Sequence, residues 1–307
     1  MLSVSSLSAS ELAARLAGSG LYLQTGCFVT RIQTAIDSVA KGIALLYADY
    51  PLTEQTDFAD FHVKLIQPQN LRRWFKRQVL FLFDGKPPFK PLPLDQAFPM
   101  LEWGLNWCVS SHVHSYLIIH AAVVEKNGHA AILPAPPGSG KSTLCAALAC
   151  RGWRLLSDEL ALIRVHDGKI IPLPRPISLK NASIDIIQRY EPSATFSPLV
   201  TDTIKGTVAH MRASTDSIAR AMIPARAAWV IFPQYKANTE AKLTPLSQSR
   251  AFMRVADNAF NYSTLGTNGF ETLANVIDAS QCYEFSYSVL DEAIETFDNL
   301  KPPVSLP

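Results

Sequence analysis

An α/β fold built on a layered, sheet-centred core is the class this sequence predicts, and three observations predict it. First, residues 130–159 read A-A-I-L-P-A-P-P-G-S-G-K-S-T-L-C-A-A-L-A-C-R-G-W-R-L-L-S-D-E, which is an apolar run, a glycine-rich turn, a helix-forming segment stopping at Gly152, a second apolar run and an acidic pair. Second, beyond that stretch, strand-length apolar runs alternate with helical patterns, as layered α/β cores require. Third, short helix and strand patterns fill the chain before residue 116. The organisation expected is an α+β N-terminal region over residues 1–115, a core domain over 116–300 and a tail over 301–307. Pro302, Pro303 and Pro307 leave that tail frayed.

Composition sets the outer limits. A chain of 307 residues with 48% apolar content suits one large domain or two modest ones with a sizeable core. A net charge of +2 makes no electrostatic case for nucleic acid or an anionic membrane. No apolar run reaches membrane-spanning length, so no membrane insertion is expected. Residues 1–6 lack a basic residue before an apolar segment and make a poor signal peptide. The five cysteines (Cys27, Cys108, Cys145, Cys150, Cys282) are scattered and odd in number. They read as buried thiols of a reducing cytoplasm rather than disulfides or metal ligands.

In the N-terminal region, Ser8 and Glu11 are spaced as a capping box before a short helix carrying Leu12 and Leu16. Residues 21–23 and 27–29 read as strand. Thr30 is placed to cap a helix through Ile32, Ile36, Val39, Ile43 and Leu46. Residues 47–56 read as turn, and Phe61–Ile66 alternates like a half-buried strand. Two strand-like stretches are expected around Arg77, then a proline-rich turn, then an amphipathic helix over residues 95–112 with Met100, Leu101, Leu105, Trp107 and Val109. Arg72, Arg73, Lys76 and Arg77 form a small basic cluster that reads as a solvated face, with docking of an acidic partner as the sharper alternative. No constellation in this region suggests chemistry.

In the core, Lys126-Asn127-Gly128 reads as a hairpin turn joining a strand through His120 to the strand that enters the glycine-rich turn. After the acidic pair, residues 160–164 continue the strand and 170–173 form the next. Residues 181–190 read as a short helix, 227–232 as a central buried strand, 242–246 as an edge strand and 247–256 as a helix. Residues 260–269 read as a loop, 270–277 as a helix, 283–287 as a strand and 290–300 as the last helix.

The chemistry concentrates in the glycine-rich turn. Gly138 and Gly140 can aim successive N–H groups at one centre, and the helix behind them adds its free amides and positive dipole end. The set Pro137, Gly138, Ser139, Gly140, Lys141, Ser142 and Thr143 nearly matches the phosphate loop G-x-x-x-x-G-K-[ST], with Ala135 at its first position. Lys141 is placed to reach the β/γ-phosphates of ATP, and the Ser142 hydroxyl to sit on Mg2+. Asp158 and Glu159 fall at the C-terminal end of the next strand, where open α/β sheets bind ligands. With Ser142 they are the candidate metal ligands. The hairpin brings His120 toward the same place. Arg175 and Lys180 are candidates for holding phosphate or an acidic substrate. Lys205, His210 and Arg212 lie in a Gly/Thr-rich segment that reads either as an active-site loop or as an ordinary strand.

His120-Ala121-Ala122, the hairpin, Gly138-Ser139-Gly140-Lys141-Ser142-Thr143 and Arg151-Gly152-Trp153-Arg154-Leu155-Leu156-Ser157-Asp158-Glu159 resemble the core of the bacterial HPr serine kinase/phosphatase family. That family shares its phosphate-loop layout with phosphoenolpyruvate carboxykinase. The likeness covers residues 116–297 and leans toward the HPr-kinase-related proteins called kinase A, found near exosortase-type gene clusters. Residues 205–210, 231–235, 258–262 and 269–270 resemble that subgroup too. The resemblance implies that Asp158 is the base toward an acceptor hydroxyl and that His120 is its partner. It implies that Lys141 and Ser142 hold phosphate and Mg2+, and that Glu159 takes the role of the family's second Asp. The family's later phosphatase-linked signature has no copy here, so neither the reverse reaction nor HPr as substrate is implied. Related kinases assemble as rings, which makes a homo-oligomer an expectation. Three functions stay open: a kinase acting on a serine or other hydroxyl, with its protein or small-molecule acceptor unidentified; a small-molecule kinase; and an ATP-binding regulator that transfers nothing.

Overall fold

The computed structural model describes residues 2–53, 58–69 and 75–303. In the N-terminal region the capping box opens α1 (Ala9–Ala17), with Glu11 N–H donating to Ser8 Oγ at 3.2 Å and Ser8 N–H to Glu11 Oε2 at 2.8 Å. Strands β1 (Leu21–Thr25), β2 (Phe28–Thr34), β3 (Phe61–Ile66), β4 (Gln78–Phe83) and β5 (Leu92–Pro93) form a sheet in chain order. Helices α2 (Asp37–Leu46) and α3 (Ala97–His112) pack against each other beside it.

The helix expected from Thr30 starts only at Asp37. Residues 28–34 alternate buried and half-buried positions and pair with β1 on one side and β3 on the other. Thr30, Ile32 and Thr34 supply a β-branched period of two, and two partner strands satisfy it; the 3-4 spacing begins only at Ile36. Of the two strands expected around Arg77, β4 follows it. Phe75 and Lys76, where the first was expected, form a turn and a bend instead. Residues 70–74, with Arg72, Arg73 and Trp74, lie outside the described residues, as do 54–57 of the turn after Tyr47 and 304–307 of the tail.

The core begins with the hairpin of β6 (Tyr116–Lys126) and β7 (His129–Pro134), turned by Asn127 and Gly128 at φ 55° and 85°. Then follow α4 (Lys141–Cys150), β8 (Arg154–Ser157), β9 (Leu160–Arg164) and β10 (Ile170–Ile171). A separate small sheet has the order β11–β13–β12, from β11 (Ile177–Lys180), β12 (Val200–Thr203) and β13 (Gly206–Met211), with α5 (Ala182–Tyr190) between its first two strands. Helix α6 (Thr215–Ala219) leads to β14 (Arg226–Tyr235), β15 (Lys242–Pro245), α7 (Gln248–Asp257), α8 (Tyr262–Leu265), α9 (Thr267–Asp278), β16 (Gln281–Tyr287) and α10 (Leu290–Asp298).

The large sheet is mixed and runs β10–β9–β6–β7–β14–β16–β15, with β8 also on β6. Strands β7, β14 and β16 are parallel. The run expected as one strand through the acidic pair is two, because β8 and β9 both lie antiparallel to β6 and break at Asp158–Glu159. The segment 205–212, weighed as an active-site loop, is a hairpin turn followed by β13. The loop expected over 260–269 holds α8 and the start of α9. There the Asn261 side chain accepts from Ile118 N–H at 2.9 Å and donates to Tyr116 O at 2.8 Å, fixing the turn by contacts 143 and 145 residues away.

From Leu117 to Val124 strand β6 is apolar but for His120, because both its faces are covered. Ile118, Ala122 and Val124 join a cluster that takes in Leu144, Leu155 and Tyr287 and also Leu16, Ile32, Phe81 and Leu101 of the N-terminal region. Leu117, Ile119, Ala121 and Val123 face a second cluster with Val230, Val255 and Leu273.

Candidate functional site

Strand β6 is the register mark for the site. Ala121 pairs with Pro134, the last residue of β7, and its N–H donates to Glu159 O at 3.1 Å on the other side. The end of β7 and the break between β8 and β9 therefore flank His120 and Ala121. Residues 135–140 carry the chain from β7 into α4. Gly138 and Gly140 have φ of 85° and 88°, which favours glycine. Space requires it too at Gly140, where a Cβ would lie 2.6 Å from Tyr287 Oη and 3.0 Å from Tyr235 Cβ.

The loop is held from the parallel strands beside it. Tyr235 N–H donates to Ser139 O at 2.8 Å and Tyr287 O–H to Gly140 O at 3.0 Å. These contacts consume carbonyls and leave amides. Among the described residues, the N–H groups of Gly138 and Gly140 have no protein acceptor, and the N-cap Gly140 provides no side chain for the first turn of α4. The free amides and the positive end of α4 thus mark one side of a cleft of about 370 Å³. Its other walls are Ser178, Lys180, Asn181, Ala182 and Ser183, with His120, Asp158 and Glu159 completing the lining. Pro137, Gly138, Ser139, Gly140, Lys141, Ser142 and Thr143 all line this cleft, so every principal residue expected from the sequence is brought to one place.

Its electrostatics are set mainly by burial. Lys141 Nζ donates to His120 Nε2 at 3.3 Å. Burial lowers the Lys141 pKa, opposed by the carboxylates of Glu159 and Asp158. Burial and then the Lys141 charge lower His120 to about 4, so its imidazole is neutral and accepts. The partner of His120 is therefore the lysine, and the carboxylate acting on it is Glu159. Burial and then the charge of Glu159 raise Asp158 to about 6, while Ser178 N–H, donating to Oδ2 at 2.8 Å, and the charges of Lys141 and Arg175 pull it back. Glu159 Oε2 accepts from Asn106 Nδ2 of α3 at 2.7 Å. The turn carrying both acids is shaped by Ser157 Oγ, which accepts from Leu160 N–H at 3.0 Å and Glu159 N–H at 3.3 Å.

The remaining candidates lie around the cleft rather than on its lining. Arg175 is buried, and its Nη2 donates to Glu102 O at 2.9 Å and Glu102 Oε2 at 3.1 Å, which commits it to a structural ion pair. Lys205 Nζ lies 4.9 Å from the Trp103 ring centroid. His210 is 1% exposed, and neither of its ring nitrogens has a partner among the described residues. Burial first, and the charges of Arg175, Lys205 and Lys180, lower it to about 3. Arg212 pairs with Asp49 at 2.6 Å. The residues that spacing did not reveal are Asn106, Ser178, Tyr235 and Tyr287; each reaches the site through strand register or interlayer packing, which leaves no local pattern.

A second cleft of about 430 Å³ shares Pro136, Pro137, Gly138 and Ser139 with the first and opens toward the end of β14. There the Arg254 guanidinium lies 3.9 Å from the Phe232 ring centroid. Among the described residues no group of three or more His, Cys, Asp or Glu could hold a metal ion, and no helix is long and apolar enough to cross a membrane. Asp158 Oδ1 and Glu159 Oε1 have no protein partner among the described residues, which suits Mg2+, an ion that takes one or two carboxylates and completes its shell with water and phosphate. Comparison with protein-family models gave no match, and neither did comparison with curated proteins.

Proposed function

We propose that this chain is an ATP- and Mg2+-dependent phosphotransferase of the HPr-kinase-like kind, moving the γ-phosphate to a serine or other hydroxyl acceptor. One observation carries the reading: a buried ammonium, Lys141, and a buried carboxylate, Asp158, line one cleft whose glycine-rich wall presents amides without acceptors. Phosphoryl transfer asks chiefly for positioning and charge neutralisation, and a carboxylate to orient the nucleophile.

In this reading residues 135–143 form a phosphate loop, with Lys141 and the loop amides against the β- and γ-phosphates. The adjoining cleft by β14 takes the nucleoside. Neutral His120 holds Lys141 in place without adding charge. Ser142 and Glu159, with Asp158 beside them, would hold Mg2+, which supplies charge neutralisation on the phosphates. Asp158 accepts the proton of the acceptor hydroxyl, and a pKa of about 6 leaves it ionised yet basic near neutrality.

The test compares binding with transfer. Wild-type protein should bind a non-hydrolysable ATP analogue and label an acceptor from γ-labelled ATP and Mg2+ in cell lysate. Asp158→Asn should keep analogue binding and lose transfer by about a hundredfold or more, the scale of a general-base contribution. A wild-type protein that binds no analogue sinks the reading. One that binds and labels nothing is a nucleotide-binding regulator.

A further inference from the structure

The wall of the cleft facing the glycine-rich loop is cationic and short of partners. Lys180 lines it half-buried and forms no ion pair among the described residues. Ser178 N–H is spent on Asp158, yet its Oγ, buried and lining the same cleft, has no partner among the described residues. Directly across the β11–β13 ladder from Ser178 stands His210, buried and with both ring nitrogens unpaired among the described residues. Lys205, in the turn before β13, adds a second positive charge that acts on Lys180, His120 and His210. That turn is fixed to the cleft wall, since Asn181 Oδ1 accepts from Thr207 N–H at 3.0 Å. With its oxygen used there, Asn181 leaves the first turn of α5 without a side-chain cap, and Ala182 and Ser183 of that turn line the cleft.

Buried donors and cations without partners cost free energy, and each calls for a reason. A ligand anion supplies one here. In the phosphotransferase reading Lys141 and the loop amides already answer the polyphosphate. The opposite wall, with Asp158 between, then answers the acceptor.

Resting on that reading, we propose that the acceptor is a small hydroxylated anion, whose carboxylate or phosphate group is held by Lys180, the Ser178 hydroxyl and the first-turn amides of α5, with its hydroxyl against Asp158. Lys205 deepens the positive potential from behind. In the transfer step Asp158 takes the hydroxyl proton and a bond forms from the acceptor oxygen to the γ-phosphorus. The bond from that phosphorus to the bridging oxygen breaks, and ADP leaves with the electron pair.

Calorimetry on the full chain, saturated with Mg2+ and a non-hydrolysable ATP analogue, tests this with glycerol 3-phosphate and glycerate as phosphate and carboxylate probes and glycerol as the uncharged control. At least one anionic probe should bind, and glycerol should not. Lys180→Gln should weaken that probe by about ten- to a hundredfold, the value of a hydrogen bond to a charged group. It should change analogue affinity less than about twofold. Lys205→Gln, off the cleft lining, should weaken the probe by a smaller factor. Analogue binding with neither probe binding overturns this inference alone, as does glycerol binding as well as the anions. Equal weakening of probe and analogue by Lys180→Gln also overturns it, by placing that lysine on the polyphosphate. Failure of the wild type to bind the analogue overturns the phosphotransferase reading and this inference with it.

Discussion

Two buried nitrogen bases, Lys141 and His210, have proton affinities that burial lowers. The lowered pKa of Lys141 means that the fold holds its charged form less well than water does. Lys141→Met should therefore fold normally, with urea stability within about 1 kcal/mol of wild type. ATP-analogue affinity should fall by about ten- to a hundredfold, as expected when a charged donor to phosphate is lost. Calorimetry and urea titration on one preparation read both. His210 gives a different signature. Its imidazole titrates near 6.5 unfolded and about 3 folded. Between those values the unfolded chain binds the extra proton. Stability is thus fully present above 6.5 and is lost as pH falls toward 3, by up to about 1.4 kcal/mol per pH unit. His210→Leu should lose one proton from that slope and lose no stability at neutral pH, since two unpaired nitrogens leave with it. Urea midpoints from about pH 7 down to about pH 4 measure it. At this scale the sequence was half legible. Lys141 and Asp158 are marked by contiguous patterns, strand–glycine turn–helix and strand–acidic pair. Ser178, which grips Asp158, and Asn106, which grips Glu159, are 20 and 53 residues away from their partners, and no spacing announces them.

Among the elements, the glycine-rich loop is positioned less by itself than by the strands next to it. Gly140 is pinned between Tyr235 of β14 and Tyr287 of β16, in a left-handed conformation. Gly140→Ala should lose about 1–2 kcal/mol to backbone strain alone, plus the cost of moving the Tyr287 hydroxyl. Tyr287→Phe removes that obstruction and also one hydrogen bond, worth about 0.5–1.5 kcal/mol. The double variant should therefore be more stable than the sum of the single losses predicts, and chemical denaturation of all four proteins in the cycle checks it. If the losses simply add, the loop is not held by Tyr287. The same dependence on neighbours explains which elements the sequence misplaced. Strand β2 overrode an apparent helix because two strands flank it. The helical turn α8 was hidden because Asn261 is tied to β6 rather than to its own segment. By contrast β3, the β6–β7 hairpin and β14 carried their own local signals, and the structure places them as expected, save that β14 runs on past Phe232 through Tyr235 because β16 pairs with it there.

For the molecule as a whole, the N-terminal region is part of the site's support rather than an appendage. It shares one apolar cluster with the core, Asn106 reaches Glu159, and Tyr50 O–H donates to Pro174 O at 3.1 Å. The central link is Glu102, which accepts from Tyr47 O–H at 2.6 Å and from the buried Arg175. Arg175 in turn lowers the proton affinity of Asp158. Glu102→Ala leaves that guanidinium buried without its counter-ion and should cost about 3–5 kcal/mol in urea unfolding. Replacing both partners, Glu102→Leu with Arg175→Met, removes the orphaned charge along with its cause, and buried ion pairs exchanged for apolar side chains are often neutral to folding. The double variant should thus recover most of the stability lost by Glu102→Ala. It should not recover the electrostatics. Without the Arg175 charge, Asp158 in the metal-free protein should titrate above its value of about 6, which carboxyl NMR can follow directly. A double variant that is stable while Asp158 titrates unchanged would show that the interlayer ion pair serves packing alone. A stable protein with the carboxyl shifted upward would show that the Arg175 charge, paired with Glu102 of the N-terminal region, holds down the basicity of the group proposed to accept the proton.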